Sequence, residues 1–383
     1  MRVKIESFLR EVCEKTTQNN EYPVLTSSKS GLFLQSDYFN KQVASTDNTG
    51  YKIIKKGQFT YRAMSDTGEF YPNMLECVDV GIVSPAYPVF EIFQTDIIIP
   101  EYLKYYFKSN AFQHAISSFA QGSTRTSVKF NKLKTASIDL PSKQEQTKIL
   151  RLLKKAETLI ACRQQELHKL DDLVKARFVE MFGDVIRNSK SWEIRVLADI
   201  ASSRLGKMLD TKQQTGECSY PYLANFNVQW FRFNTENLNQ MDFNEEDRIE
   251  FELQNDDLLV CEGGEIGRCA VWHNEIQPCF FQKALHRVRC NRQIVHPDYL
   301  GWWFKYNCDH DGFATIAGAK ATIAHLPGVK LKQLRVAIPP LELQEQFAAF
   351  VNQIDKSKFV ESIHVLKLIK EAIAKEVSHD RIR

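Results

Sequence analysis

The chain states one short series of words twice, about 200 residues apart, and that repetition constrains its fold more than any other feature. Tyr22-Pro23-Val24-Leu25 returns as Tyr220-Pro221-Tyr222-Leu223, and Tyr102-Leu103-Lys104-Tyr105-Tyr106-Phe107-Lys108-Ser109-Asn110 returns as Tyr299-Leu300-Gly301-Trp302-Trp303-Phe304-Lys305-Tyr306-Asn307. Pro141 with Gln144-Glu145-Gln146 returns as Pro339 with Gln344-Glu345-Gln346. Agreement at three sites in the same order predicts two copies of one framework. The stretches between them, roughly 30–100 and 228–297, match poorly, so each copy carries its own interior.

At 383 residues the chain exceeds the size at which a single core keeps growing, which agrees with two globular units plus connecting elements. No apolar run approaches the ~18 residues of a membrane span, and Met1-Arg2-Val3-Lys4-Ile5-Glu6 has no signal-peptide core, so a cytoplasmic location is expected. Nine cysteines, an odd number without a C-x-x-C pair, point to reduced thiols. The densest group, Cys261, Cys269, Cys279 and Cys290, fits no zinc spacing and reads as packing.

Two helical patterns divide the chain. After Leu140-Pro141, Ser142 and Glu145 form a capping box. Ile149, Leu153, Ala156, Ile160, Leu167, Leu170, Val174 and Met181 then follow steps of four and three, with Arg163 and Arg177 in the two gaps. This is a coiled-coil seam ending at Gly183, a rod of roughly 60 Å at 1.5 Å per residue. A second stripe starts after Pro339-Pro340 with Phe347, Val351 and Ile354. It resumes at Phe359, Ile363, Leu366, Ile373 and Val377 after a phase slip near Asp355 to Lys358. The cheapest cover for each apolar stripe is the other rod, the alternative being its own globular domain. The expected fold class is α+β: two mixed α/β domains and a pair of long coiled-coil helices, built as an internal repeat. The expected boundaries are 1–140, 141–184, 185–338 and 339–383. Within the domains, Asp256 to Cys261 and Arg268 to Trp272 read as strands flanking a glycine turn, Lys52-Ile53-Ile54 and Phe59-Thr60-Tyr61 as a comparable pair, and Tyr102 to Asn110 and Tyr299 to Asn307 as short helices.

Catalytic apparatus is missing from the sequence. Gly263-Gly264-Glu265-Ile266-Gly267 lacks dinucleotide spacing; Gly206-Lys207 lacks the earlier glycine of a phosphate loop and has Met208 where magnesium would need Ser or Thr. There is no H-x-x-x-H pair, no G-x-S-x-G elbow and no Asn-Pro-Pro-Tyr type motif of base methyltransferases. Net charge is only +3, but its placement is uneven. No acid occurs from Tyr102 to Ile138, where Lys104, Lys108, Arg125, Lys129, Lys132 and Lys134 lie, nor from Gly312 to Leu341, where Lys320, Lys330, Lys332 and Arg335 lie. Two acid-free windows at equivalent positions predict a surface for a polyanion.

These motifs resemble the DNA-specificity subunit of type I restriction-modification enzymes over essentially the whole chain. Leu140-Pro141 to Gln146, Leu167 to Leu173 and Arg177-Phe178 to Asp184 resemble that family's central conserved helix, and Ile338 to Gln346 its C-terminal one. Tyr22 to Leu25, Tyr51-Lys52 and Lys55 to Tyr61 resemble one kind of target-recognition domain; Trp192 through Leu223 to Val260 resembles another. The resemblance implies two domains separated by a pair of long antiparallel coiled-coil helices with an internal pseudo-two-fold repeat, double-stranded DNA as ligand and no catalysis in this chain. It also implies assembly with two methyltransferase subunits and with restriction-translocase subunits, which would hold the S-adenosylmethionine, ATP and magnesium.

Cationic and hydroxyl side chains in loops are the expected DNA contacts. In the first repeat these are Lys29, Arg62, Arg125, Thr126 and Lys129; in the second, Lys207, Arg268, Lys283, Lys320 and Thr322. The loops Gly122 to Thr126 and Gly318 to Thr322 correspond across the repeat. A self-contained DNA-modifying enzyme and a helical adaptor that never touches nucleic acid are the competing readings.

Overall fold

A computed structural model describes residues 1–38, 45–119, 126–210, 214–313 and 325–358. The chain divides into two compact units, Met1–Ile160 and Ala161–Arg383. In the first, strand Arg2–Lys4 runs antiparallel to Ser137–Asp139, and the Met1 ammonium donates to Leu140 O at 2.9 Å. The domain therefore opens and closes at one place. Its main sheet has the order Leu9–Val12, Val89–Ile92, Phe59–Thr60, Asn73–Met74. The inward positions carry rings: Phe59 stacks on Phe90 at 5.7 Å, and Phe107 meets both edge-on. Such pairs add about 0.5–1.5 kcal/mol each beyond area burial.

The second unit repeats this plan. Glu193–Val196 pairs antiparallel with Arg335–Ile338, and the main sheet has the order Ala201–Leu205, Leu285–Cys290, Asp257–Cys261, Cys269–Val271. The correspondence extends to single residues: Val24 bridges Ile82 in parallel, and Tyr222 pairs Phe280 in parallel, each member 198 residues after its counterpart. Asp257 opens the all-buried strand and is itself fully buried. Arg289 on the adjacent strand answers it with two hydrogen bonds, Nε to Oδ1 at 2.7 Å and Nη2 to Oδ2 at 2.8 Å, the bidentate geometry that makes a buried carboxylate tolerable. Lys52–Lys55 and Phe59–Thr60 form the two expected strands on either side of Gly57 but do not pair with each other. Lys52–Lys55 pairs instead with Val80–Val83, and Phe59–Thr60 lies between Val89–Ile92 and Asn73–Met74, because Gly57 turns the chain from one sheet into another.

The long helix spans Lys143–Phe182. The capping box forms: Glu145 Oε2 accepts from Ser142 N at 2.7 Å, and Glu145 N donates to Ser142 Oγ at 3.3 Å. The Ser142 hydroxyl, which donates to Glu145 Oε2 at 2.7 Å, and then the Ser142 amide hold the Glu145 carboxyl below its usual range. Gly183 ends the helix with φ +72° while its amide still reaches Val179 O at 2.8 Å. Buried Gln146 fixes this helix to the first domain, donating to Ile97 O (2.8 Å) and Pro141 O (2.9 Å) and accepting from Ile99 N (2.8 Å). Buried Gln344 repeats that set, with Ile294 O (3.1 Å), Pro339 O (2.7 Å) and His296 N (2.9 Å). The true equivalent of Gln146 is thus Gln344. Aligning the two Gln-Glu-Gln triplets, as the sequence invites, misplaces this residue by two positions.

The second helix occupies 341–358, and its expected continuation from Phe359 to Val377 lies outside the described residues. Within the second unit it runs antiparallel to the long helix. Phe347 meets Phe178 and Phe182 edge-on at 5.5 and 5.4 Å, Lys358 Nζ bonds Asp171 at 2.7 Å, and Arg163 Nη2 reaches Lys358 O at 3.1 Å. The same stretch also packs on its domain, with Phe178 stacked on Tyr299 at 5.9 Å. Both covers foreseen for the stripe are therefore used together. Arg163, in the first gap of the seam, is buried by this contact. The two repeated aromatic segments form helices Pro100–Tyr106 and Pro297–Asp309. All nine cysteines are unbridged, and burial pushes the Cys261 thiol up to about 11 and those of Cys279 and Cys290 up to about 12. Among the described residues no helix is long and apolar enough to cross a membrane, and no group of His, Cys, Asp and Glu is set to hold a metal.

Candidate nucleic-acid interface

In the first unit the strand Leu25–Ser27 turns back into Leu32–Leu34 through a four-residue tip. Ser28 N donates to Gly31 O at 2.9 Å, closing the turn, and buried Asn73 braces its root by donating to Ser27 Oγ (2.9 Å) and Ser28 O (2.8 Å). This presents Lys29, whose side chain is 73% exposed. Its ammonium lies 5.3 Å from the Tyr71 ring centre and 3.3 Å from Glu69 Oε2. Hydrogen bonding to Tyr71 and then to Glu69 raises the Lys29 pKa above its ordinary value, so it stays charged.

Lys29 and Arg62 line one open cleft of about 710 Å³, together with Tyr38, Tyr51, Tyr71 and a run of hydroxyls including Ser65 and Thr67. Arg62 faces Asp66 at 3.9 Å. Both ion pairs are exposed and screened by solvent, so a polyanion can displace the acids. Thr126 adjoins this rim, its Oγ1 donating to Ser65 O at 3.1 Å, while exposed Lys129 lies before the short helix Phe130–Leu133. A second recess of about 470 Å³ brings Lys29 together with Lys108 and His114. Arg125, Lys320 and Thr322 lie outside the described residues, as does most of the Gly122–Thr126 loop and all of its Gly318–Thr322 counterpart.

The second unit uses its expected cations differently. Lys207 donates to Asp247 Oδ2 at 2.5 Å and to Asp242 O at 2.7 Å, with its ammonium 5.1 Å from the Phe243 ring centre, so it ties Gly206-Lys207 to its own domain. Asp242 in turn accepts from the backbone of Gly216 (2.8 Å) and Thr215 (2.5 Å), which holds its carboxyl below the usual range. Arg268 is largely buried and donates to Asn225 O and Oδ1, both at 3.1 Å, with Glu265 at 3.5 Å. Lys283 is exposed at the turn between Phe280–Phe281 and Leu285–Cys290. Of the acid-free windows, Lys108, Lys129, Lys132, Lys330, Lys332 and Arg335 present exposed cations, whereas Lys104 is drawn to Glu76 at 2.5 Å.

The sequence does not signal several exposed apolar side chains, Phe226 among them. Phe226, 59% exposed, stands on the short 3-10 turn Asn225–Asn227 that follows strand Ser219–Leu223. A lone aromatic between two asparagines gives no pattern from which to expect this.

A model of the type I restriction modification DNA specificity domain matches this chain twice, at residues 6–171 and 189–370. The putative type I restriction enzyme MjaX specificity subunit of Methanocaldococcus jannaschii is 24% identical over 194 residues, 49% of this chain and 45% of that one. The type I restriction enzyme HindI specificity subunit of Haemophilus influenzae is 24% identical over 170 residues, 43% of this chain and 37% of that one. Each match thus spans less than half of the relative's length. In fold, the chain is similar to the S subunit of a type I restriction-modification system from M. genitalium, with a TM-score of 0.50 at 14% identity, covering 99% of this chain and 94% of that one. It is likewise similar to a chain solved in a study of complex assembly and conformational transition of the type I R-M system, with a TM-score of 0.59 at 14% identity, covering 98% and 95%. With the domain model covering most of its length in two copies, and the sheet order and glutamine braces repeated in both halves, the chain belongs to the family of type I restriction-modification DNA specificity subunits.

Proposed function

We propose that this chain is the sequence-reading, non-catalytic subunit of a type I restriction-modification complex, recognising a bipartite, asymmetric site in double-stranded DNA and directing partner methyltransferase and restriction subunits to it. The observation that carries this reading is the combination of one framework built twice with two unlike surfaces mounted on it. Lys29, Arg62 and Thr126 gather at one cleft rim in the first half, with Lys129 exposed nearby; in the second half the same scaffold turns Lys207 and Arg268 inward and exposes Lys283. Unlike surfaces on like frames read unlike half-sites, and the paired helices set the number of unread base pairs between them. Exposed lysines hold phosphates, which positions the duplex without reading it. S-adenosylmethionine, ATP and magnesium belong to the partner subunits in this reading.

The test is to incubate the purified chain, with and without partner methyltransferase subunits, with S-adenosylmethionine and mixed DNA. Methylation confined to a two-part sequence, and only with the partners present, is the expected result; methyl transfer by the chain alone would sink the proposal. Titrating duplex DNA at two salt concentrations addresses the adaptor reading. The assembled complex should prefer its target and bind more weakly as salt rises, whereas indifference to both would favour an adaptor.

A further inference from the structure

The exposed turn that follows the repeated Tyr-Pro-x-Leu strand occupies the same place in both halves but presents opposite chemistry. Ser27 and Asn225 lie 198 residues apart, the interval that separates the parallel partners Val24 and Ile82 from Tyr222 and Phe280. The bracing is equivalent too. In the first half Asn73, on the last strand of the main sheet, donates to Ser27 Oγ and Ser28 O; in the second, Arg268, immediately before the corresponding strand Cys269–Val271, donates to Asn225 Oδ1 and O. Asn225 Nδ2 further holds Gly263 O at 2.9 Å, and Asn227 bonds Ala224 N at 2.9 Å and Asn234 O at 3.0 Å. The backbone around Phe226 is thereby fixed while its ring is left to solvent. At the same interval its counterpart is Ser28, the first residue of the tip that offers Lys29 to the cleft.

We infer that this turn is the base-contacting tip of each recognition domain, and that Phe226 is a specificity-determining residue that reads the thymine 5-methyl group in the half-site opposite to the one Lys29 reads. The inference rests on the DNA-reading function proposed above. A rigidly held, solvent-facing phenyl has no hydrogen bond to offer, and in the major groove the thymine methyl is the apolar feature that distinguishes one base pair from another. Lys29, with three donors, suits guanine O6 and N7 in the same setting. Arg268 acts as a positioning residue, through Asn225.

The experiment uses the full chain assembled with its partner methyltransferase subunits. The target is first defined by methylome sequencing, and single base-pair changes and single thymine-to-deoxyuridine replacements are then scored by competition for methylation. Phe226→Ala should relax discrimination about ten- to a hundredfold at one or two positions of one half-site, leaving the other half and the melting temperature unchanged. Lys29→Ala should do the same in the opposite half, and Phe226→Leu, which keeps an apolar contact, should retain most of the discrimination. At one thymine of the Phe226 half, deoxyuridine should weaken the unaltered complex but not the Phe226→Ala complex. Discrimination within twofold of the unaltered complex at every position, a deoxyuridine effect of equal size in both complexes, or none at any thymine of that half would overturn the assignment. Absence of any sequence preference in the unaltered complex would instead overturn the DNA-reading function itself.

Discussion

Single residues decide where this fold is vulnerable. Asp257 is fully buried; Arg289 is its charged partner at both carboxylate oxygens, and the Gln254 amide also donates to Oδ2 at 2.8 Å. Arg289→Met leaves that charge without its partner in a closed sheet, and about 3 kcal/mol of stability should be lost in urea unfolding. A loss under 1 kcal/mol would mean the carboxylate is not held as described. His296 shows a pH dependence with a definite sign. Its Nδ1 accepts from Asp298 N at 3.3 Å at the start of helix Pro297–Asp309, and burial lowers its pKa to about 4. The unfolded chain takes up this proton near pH 6.5 and the folded chain only near 4, so the histidine subtracts stability as pH falls between the two. Asp298, pushed up to about 6 by burial, works the other way, because the folded chain takes its proton first. His296→Asn keeps the cap acceptor and removes the titration. Melting curves from pH 7 to pH 4.5 should then show the variant losing less stability than the unaltered protein; parallel curves would contradict the assignment.

At the scale of elements, the two glutamines hold each helix to its domain. Gln344→Ala deletes three hydrogen bonds, strands the His296 amide in a closed site and should cost about 2–4 kcal/mol, measured by urea unfolding; Gln146→Ala should cost a similar amount in the first unit. Ser142→Ala, which removes only an exposed cap, should cost about 1 kcal/mol. The helices were legible in the sequence because their signals are local: the capping box, the four-and-three spacing, and Gly183. The strands Asp257–Cys261 and Cys269–Val271 were legible for the same reason, as short apolar runs around a glycine turn. What escaped depends on distant partners. Nothing near Lys52–Lys55 says that its mate is Val80–Val83 rather than the next strand along. Lys207 and Arg268 look like any loop cations until Asp247 and Asn225, 40 and 43 residues away, come to meet them. Phe226 acquires meaning only when the turn carrying it is superposed on the one carrying Lys29.

For the whole molecule, the repeat separates holding from reading. Adding one heptad to each helical region should lengthen the unread spacer of the DNA target and leave both specific halves unaltered, as methylome sequencing of DNA modified by the assembled complex would show. Altered halves with an unaltered spacer would refute the ruler role of the helices. The pairings Arg2–Lys4 with Ser137–Asp139, and Glu193–Val196 with Arg335–Ile338, carry a further consequence. Each domain leaves its neighbours through two adjacent strands that zip together like the two edges of a clasp. An insert exchanged between those edges would meet the same short ladder of backbone hydrogen bonds, provided that it also offers the helices the backbone groups that Gln146 and Gln344 hold. On the function proposed above, swapping one insert is expected to change one half of the target while the helices stay as they are.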